Sequence, residues 1–358
     1  MKQIDVQSAG LTDTGKLRTD NQDQFLVADL TRSVIVRSGS LELEQGARLF
    51  GRPMGHLFLV ADGMGGHRGG NEASKFAVQF CTNAILNSTS WVASVGPSNE
   101  DLFVDDLKSM LEKAHQAIED RSKTTAGFEG MGTTLTMAYV AWPRMFIVHA
   151  GDTRCYLFRN NELRLVTRDH TVANEMMKNG QLDPKELERS HWSNVLVNAL
   201  GAGARSVYPD IYKLDLQLND SIILCSDGLN KHVSDLQIQK TLTALSAPQR
   251  ICEELVSLAK QGGGSDNITV VMAKFLEQET PHNRMQMFIA QPSQEIVLQD
   301  LRIPESELDT HDEEPSQQAT VEFDSDGREG DAKDTVDFDE NGEGPAGEFY
   351  DESNKARE

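Results

Sequence analysis

Apolar residues recur at helical spacing in two long segments, residues 71–87 and 100–123. Side chains three and four positions apart lie along one face of a helix. The apolar residues of the two segments are Ala73, Phe76, Ala77, Phe80, Cys81, Ala84, Ile85, Leu102, Val104, Leu107, Met110, Leu111, Ala114 and Ile118. The pattern predicts two amphipathic helices that pack as neighbours. Two shorter helices are predicted at about 234–245 and 247–260.

Short apolar runs of strand length alternate with turn residues through the rest of the first 276 positions. They span residues 4–9, 24–28, 132–141, 144–150, 153–159, 162–166, 211–217, 221–225 and 267–275. The runs between 132 and 166 are joined by turns too short to hold a crossover helix, so these strands should pair antiparallel. This disfavours a doubly wound parallel sheet. The polar, partly helical stretch from 170 to 193 is expected to form a flap over a functional site.

Five aspartates stand in short turn-like settings, most of them beside a glycine: Asp23, Asp62, Asp152, Asp227 and Asp266. An Asp-Gly pair on its own is more often an ordinary turn. Here, however, Asp62 and Asp227 directly follow buried-strand patterns, so both carboxylates should lie where strands end. Carboxylates, backbone carbonyls and waters are the ligands that Mg²⁺ and Mn²⁺ prefer. The set therefore indicates a divalent metal site, and a glycine lets a backbone carbonyl such as that of Gly63 turn toward an ion.

In this order, the motifs resemble those of the metal-dependent serine/threonine protein phosphatases of the protein phosphatase 2C type, especially the bacterial members. The motifs are Arg18-Thr-Asp-Asn-Gln-Asp, Val60-Ala-Asp-Gly-Met-Gly-Gly, Gly151-Asp-Thr-Arg, Cys225-Ser-Asp-Gly and Gly264-Ser-Asp-Asn. The resemblance covers about residues 3–276 and implies a catalytic domain over 1–276. It implies an α+β fold, a four-layer α-β-β-α sandwich of two antiparallel sheets flanked by helices, with the metal site at one end between the sheets.

The resemblance also implies how the site holds two Mg²⁺ or Mn²⁺ ions. Asp62 would bridge both, the Gly63 carbonyl and Asp23 would bind one, and Asp227 and Asp266 would bind the other.

A third, more weakly bound ion would lie between Asp152 and Asp227. Arg18 resembles the arginine with which the family binds phosphate, since a guanidinium can grip two phosphate oxygens at once; a surface ion pair is the alternative role. Asn21 fits the same turn, and Asn267 is expected to orient ligands rather than to bind metal.

Several positions depart from the pattern. Met64 stands where many eukaryotic members carry a histidine that protonates the leaving group, and bacterial relatives commonly have Met there. His67 is close enough in sequence to be an alternative acid. Gln22 replaces a common Glu ligand, which favours direct metal contact by Asp23, and Asn198 replaces a usual basic residue near the flap. His170 also matches a family motif, but a structural role is expected for it, as it is for Thr133 and Thr134.

Composition adds an uneven charge. The chain has 358 residues, of which 38% are hydrophobic, and a net charge of −22. Residues 305–358 alone carry 20 acidic and 4 basic side chains, a net of −16. This last stretch has too few aliphatic residues to form a core, so we expect a disordered acidic tail after a linker or domain extension at 277–304. The acidity and the absence of large Lys/Arg clusters argue against nucleic acid as a partner.

The N-terminus lacks a signal-peptide pattern, and no run approaches the roughly 20 apolar residues of a membrane span. The four cysteines are widely spaced and form no C-x-x-C pair, which is typical of buried thiols rather than zinc ligands or disulfides. These features predict a cytoplasmic protein, and we expect a monomer. The tail contains Thr-Val-acidic-Phe-Asp twice, at Thr320 and Thr335. Phosphorylation there, with docking of a phospho-reading partner or kinase, is one hypothesis, and drift in a low-complexity tail is the other.

Together these observations predict a phosphatase acting on phosphoserine and phosphothreonine in proteins and opposing a Ser/Thr protein kinase. The alternative from another class is a catalytically silent phosphatase-like module that acts through its acidic tail. Retention of all five carboxylates and of Arg18 argues against that alternative. Hydrolysis of a small phosphate ester is a weaker possibility, because the sequence indicates no deep substrate pocket.

Overall fold

A computed structural model describes residues 4–38, 40, 46–87, 100–183 and 190–278 of the chain. Most of the predicted linker at 277–304, and the whole tail at 305–358 with Thr320 and Thr335, lie outside the described residues. Within these ranges no helix is both long and apolar enough to cross a membrane.

The first sheet has five antiparallel strands in the order β1, β12, β11, β7, β8. They are β1 (Ile4–Asp13), β7 (Arg154–Arg159), β8 (Glu162–Leu165), β11 (Ser221–Cys225) and β12 (Ile268–Glu277). Strand β1 pairs with β12 along its whole length, from Ile4 opposite Glu277 to Asp13 opposite Ile268. The first and the last of the described strands are therefore neighbours in this sheet.

The second sheet has seven strands, centred on the long strand β3, and its pairings are also antiparallel. Its strands are β2 (Asp23–Ile35), β3 (Arg48–Met64), β4 (Gly132–Thr133), β5 (Leu135–Ala141), β6 (Arg144–Ala150), β9 (Leu200–Gly201) and β10 (Asp210–Asp215). The order is β10, β6, β5, β3, β4, β9, with β2 on the other edge of β3. The absence of parallel pairs among the described strands agrees with the short turns predicted between 132 and 166.

Six α-helices are described: α1 (Gly66–Asn87), α2 (Glu100–Thr124), α3 (Val172–Lys178), α4 (Asp227–Asn230), α5 (Asp235–Ala244) and α6 (Pro248–Gln261). Helices α1 and α2 pack on each other and on the second sheet, where the Phe103 ring lies 4.8 Å from that of Phe146. Helix α6 packs on β1 and β12 of the first sheet.

Successive side chains of a strand point to opposite faces of the sheet, so the buried residues of one strand belong to two different layers of the core. In β11, Ile222 and Leu224 face the second sheet and share a cluster with Phe58 and Ile147, whereas Ile223 and Cys225 face the helices α4 to α6. Each sheet thus buries one face against the other sheet and one face against helices. This confirms the predicted α+β class and the four-layer sandwich.

The structure differs from the sequence expectations mainly at element ends. Helix α1 begins at Gly66 rather than at 71, and β2 extends to Ile35 rather than to 28. The described residues after His170, 171–183 and 190–194, contain the helix α3 and a 3-10 turn at His191–Asn194. The four-residue helix α4 was not predicted, and it lies directly at the candidate site.

Candidate metal centre

The five predicted aspartates are brought to one end of the two sheets. Asp23 begins β2 and is paired with Asp62 near the end of β3. Asp152 follows β6, Asp227 begins α4 two residues after β11, and Asp266 stands two residues before β12. Because antiparallel neighbours alternate in direction, strand starts and strand ends meet at the same sheet edge. The charge of Asp227 acts on Asp23, Asp62 and Asp152, and the charge of Asp266 acts on Asp227.

Glycines are required here because backbone segments approach closely. A Cβ on Gly63 would lie 2.1 Å from the carbonyl oxygen of Gly70 in α1. A Cβ on Gly228 would lie 1.9 Å from the carbonyl oxygen of Asn267. Any side chain would therefore push α1 away from β3, or α4 away from β12. The glycines of the two Asp-Gly motifs therefore have a packing role, because only glycine allows these backbone segments to lie so close together.

The carboxylate of Asp23 is oriented by hydrogen bonds from two hydroxyl groups. Its Oδ2 accepts hydrogen bonds from Ser226 Oγ at 2.6 Å and from Thr269 Oγ1 at 2.7 Å. Its Oδ1 is buried and has no hydrogen-bond partner among the described residues, and the same holds for Asp227 Oδ1. A buried carboxylate oxygen without a partner is costly. Two such oxygens in one acidic cluster fit hard divalent cations, for which carboxylate oxygens are the preferred donors.

The acids of the cluster resist ionisation in the absence of cations. Burial, and secondarily the charge of Asp227, raises the pKa of Asp23 to about 7 and that of Asp152 to about 8. The pKa of Asp62 is raised well above its usual value, first by burial and then by the charge of Asp23. Burial also raises the pKa of Asp227, although Lys231 opposes this. Divalent cations would offset the cost of ionising these buried, closely spaced carboxyls, so the site is suited to them.

Two basic side chains compensate the opposite half of the cluster. Arg18 forms a fork with Asp266, with Nε 2.8 Å from Oδ1 and Nη2 3.0 Å from Oδ2. Lys231 Nζ contacts Asp227 Oδ2 and lies 3.2 Å from Asp266 Oδ2. Burial works against ionisation of Asp266, but these two cations outweigh it and lower its pKa. In the described part of the chain, no three acidic, histidine or cysteine side chains already form a complete ligand set.

Asn21 and Asn267 hold the turn that carries Asp23. Asn267 Oδ1 accepts from the backbone N–H of Gln22 at 2.9 Å, and its Nδ2 donates to the carbonyls of Thr14 at 3.1 Å and Asp20 at 2.9 Å. Asn21 Oδ1 accepts from the backbone N–H of Asp23 at 3.1 Å. These contacts support the expectation that Asn267 orients ligands, and they place Asn21 in the same turn.

Asp152 rests on a buried histidine pair that the sequence did not reveal as a unit. The rings of His149 and His170 lie 4.7 Å apart, and the backbone N–H of Gly151 donates to His170 Nδ1 at 3.2 Å. Asn198 Nδ2 donates to the same nitrogen at 2.9 Å, so His170 Nε2 carries the proton that is donated to Asp210 at 3.1 Å. His170 is thus structural, as expected.

Asn198 has an additional role in the flap region. It exchanges hydrogen bonds with the backbone of Tyr208, accepting from its N–H at 3.0 Å and donating to its carbonyl at 2.8 Å. This asparagine therefore ties residues 198–208 to the histidine pair. Thr133 and Thr134 also bind backbone, since the Thr133 hydroxyl and the Thr134 N–H both donate to the carbonyl of Asp62 at 2.9 Å.

Met64 cannot serve as a general acid, because its thioether has no proton to donate. Met64 ends β3 opposite Gly132. The side chain of His67 lies outside the described part of the structure. Lys231, by contrast, was missed by sequence reasoning, although its place four residues after Asp227 at the end of a helical turn could have suggested a contact.

The α-β-β-α sandwich with five aspartates at one end of its sheets is the arrangement that the resemblance to the metal-dependent phosphatases implies. Comparisons with known proteins identify the family. The family model described as "Protein phosphatase 2C" matches residues 47–277, and the chain belongs to this family. It is a metal-dependent serine/threonine protein phosphatase.

Two curated relatives illustrate the similarity. Protein phosphatase PhpP of Streptococcus pneumoniae is 32% identical over 272 residues, which cover 75% of this chain and 97% of the relative. Serine/threonine phosphatase stp of Listeria monocytogenes is 31% identical over 222 residues, which cover 61% of this chain and 84% of the relative.

Two solved structures agree with the fold. The serine/threonine phosphatase of S. agalactiae is 29% identical, with a TM-score of 0.60, and the match covers 75% of this chain and 98% of that one. The catalytic domain of PstP in complex with two manganese ions is 27% identical, with a TM-score of 0.59, covering 76% of this chain and 100% of that one.

Proposed function

We propose that this chain hydrolyses phosphoserine and phosphothreonine in proteins at a centre of two Mg²⁺ or Mn²⁺ ions. The observation that carries this proposal is the pair of buried carboxylate oxygens, Asp23 Oδ1 and Asp227 Oδ1, which lack partners within one acidic cluster. When bound, two divalent cations lower the pKa of a shared water and neutralise the oxygens of a phosphate group.

The residues of the cluster have separate parts in holding the ions. Asp62 is central, because the charges of the other four aspartates all act on it, and it would contact both ions. Asp23, aimed by its two hydroxyl partners, and the carbonyl of Gly63 would bind one ion. Asp227 and Asp266 would bind the other ion. The resemblance also predicts a third ion between Asp152 and Asp227, and the neighbouring Lys231 ammonium opposes it.

Arg18 is the residue proposed to bind the phosphate. Its guanidinium already forms a two-point fork with the carboxylate of Asp266. A phosphate presents two oxygens in the same geometry, and the side chain is exposed enough to reach a substrate. We therefore propose that Arg18 moves from Asp266 to the phosphate when Asp266 binds an ion.

The first test is hydrolysis of a phosphothreonine peptide by the full chain with Mn²⁺, with Mg²⁺ and with a chelator. The Asp227→Asn variant should lose activity by orders of magnitude, because a metal ligand is removed. The matched control is Asp215→Asn, the same change at the far end of β10, where Asp215 pairs with Arg144. Metal-independent activity, or equal activity of the two variants, would contradict the proposal.

The same assay separates the alternatives. A folded protein that is inactive with every metal would favour the silent binding module. Faster turnover of p-nitrophenyl phosphate than of several phosphopeptides would favour a small phosphate ester as substrate.

We further propose that the chain acts in the cytoplasm as a monomer and opposes a Ser/Thr protein kinase. The tail hypothesis, in which phosphorylated Thr320 and Thr335 dock a partner or kinase, is tested by truncation after residue 304. Unchanged kinase binding by the truncated chain would refute it.

A further inference from the structure

Lys231 introduces a fixed positive charge into the proposed metal centre. It follows α4 directly, and its backbone N–H donates to the carbonyl of Asp227 at 2.9 Å, one turn back. This places the side chain over Asp227, so that Nζ contacts Asp227 Oδ2 and Asp266 Oδ2. The side chain is only 26% exposed. The ammonium is therefore enclosed by two proposed metal ligands rather than extended into solvent.

The contact leaves Asp227 with one oxygen for cations. Oδ2 is taken by Lys231, whereas Oδ1 is buried and lacks a partner among the described residues. A second ion shared with Asp62 and Asp266 can use Oδ1. A third ion shared with Asp152 would then need Oδ2, the oxygen that Lys231 already contacts. The lysine charge also acts on Asp152, so the ammonium stands near the place such an ion would occupy.

We propose that the Lys231 ammonium takes the place of a third divalent cation beside Asp227 and Asp152, so that this chain binds two ions and not three. The inference rests on the proposed binuclear centre. Its physical basis is electrostatic, because an ammonium within hydrogen-bond distance of a shared ligand repels a divalent ion at the same oxygen and neutralises part of the charge that would attract it. Lys231 then acts as a built-in cation that needs no metal from solution.

The test is the number and affinity of Mn²⁺ sites, measured on the full chain by isothermal titration calorimetry and by the electron paramagnetic resonance signal of free Mn²⁺. The wild type should bind two ions. Lys231→Asp should bind a third ion. The dissociation constant of this third ion should be at least tenfold lower than that of any third ion on the wild type. Lys231→Met should show a weaker gain, and Lys231→Arg should match the wild type because it keeps the charge.

Lys213→Asp is the matched control, since it makes the same change in charge at a partly exposed lysine that pairs with Glu100 away from the cluster. Circular dichroism confirms that each variant is folded, and Lys231→Met, whose unbranched side chain is one atom shorter than that of lysine, serves if Lys231→Asp does not fold. Three ions on the wild type, or two on every position-231 variant, would overturn the inference while leaving the proposed function standing. Failure of the wild type to bind any Mn²⁺ would instead refute the proposed function.

A second readout uses the metal-free protein. Without ions, Lys231 compensates Asp227 and Asp266, so Lys231→Met should unfold at a lower temperature than the wild type in chelator. Added Mn²⁺ should then raise its unfolding temperature by more than it raises that of the wild type. Equal Mn²⁺-induced shifts in the two proteins would contradict the role of the lysine as a resident cation.

Discussion

The buried histidine His149 should make the stability of this protein depend on pH. Its ring is fully buried beneath the turn that carries Asp152. The carbonyl of Arg168, 3.0 Å from Nε2, can only accept, so Nε2 carries the proton, and Nδ1 accepts from the hydroxyl of Thr136 at 2.8 Å. The neutral ring is therefore satisfied on both sides, and a second proton, on Nδ1, would require the Thr136 hydroxyl to turn and accept instead of donate.

The magnitude follows from the shift of the pKa. Burial, assisted by the neighbouring His170, lowers the pKa of His149 from 6.5 to about 3. The unfolded chain then binds more protons than the folded one between these two values, so stability is fully present above about pH 6.5 and is lost as the pH falls. Each pKa unit corresponds to about 1.4 kcal/mol, which gives a loss of about 1.4 kcal/mol at about pH 5.5.

The assay compares urea unfolding of the wild type and of His149→Gln at about pH 7.5 and pH 5.5. The variant costs stability at the higher pH because hydrogen bonds are lost, but that cost should shrink by about 1.4 kcal/mol at the lower pH, since the titrating group is gone. The difference between the two proteins is the relevant quantity, because the raised pKa values of the acidic cluster shift stability in the opposite direction in both.

Thr136→Val is the matched control, since it removes a partner of His149 and keeps the histidine. The free energy of unfolding that Thr136→Val loses relative to the wild type should not become smaller at the lower pH. A His149→Gln cost that is equal at both pH values would refute the reasoning that the ring is held neutral.

Three further predictions concern the site and its supports. Chelation of metal should lower the unfolding temperature, and Mn²⁺ at about 100 times its dissociation constant should restore about 2.7 kcal/mol per site, measured by thermal unfolding. Gly63→Ala should cost about 1–3 kcal/mol and reduce phosphatase activity, because its Cβ would lie 2.1 Å from the Gly70 carbonyl, whereas Gly51→Ala, with its nearest contact at 3.4 Å, should unfold like the wild type. Asn198→Ala should cost about 0.5–1.5 kcal/mol in urea unfolding for each hydrogen bond lost, because His170 Nδ1 loses one donor but keeps the N–H of Gly151.

The sequence was sufficient for the layers of the fold because strand and helix periodicities are local. The run 221–225 was predicted with the bounds that the structure shows, and the spacing of apolar residues located α2 to within one residue. The start of α1 was missed because Gly66, Gly69 and Gly70 are poor helix formers. Close packing of Gly70 against Gly63 explains why glycine is used there in spite of that propensity.

The sequence was sufficient to list the candidate carboxylates, but not to predict their hydrogen-bond partners or which of their oxygens are left without one. Which oxygen of Asp23 is free depends on hydroxyls that lie 203 and 246 residues further along the chain. The contact of Gly151 with His170 joins positions 19 residues apart. Such pairings depend on strand register, which is a property of the whole fold. Lys231 was overlooked for a different reason, since α4 is too short to show a hydrophobic period.

The negative charges in the two halves of the acidic cluster, one around Asp23 and the other around Asp266, have different neighbours. Asp23 is held by neutral hydroxyl donors, which fix its direction and leave its charge uncompensated, so its pKa is raised to about 7, chiefly by burial. Asp266 is held by Arg18 and Lys231, which compensate its charge and lower its pKa against the effect of burial. Among the described residues, an incoming ion would therefore meet no basic side chain on Asp23, whereas on Asp266 it would compete with two. The half of the cluster formed by Asp23 and Asp62 is consequently the one best prepared to take the first ion.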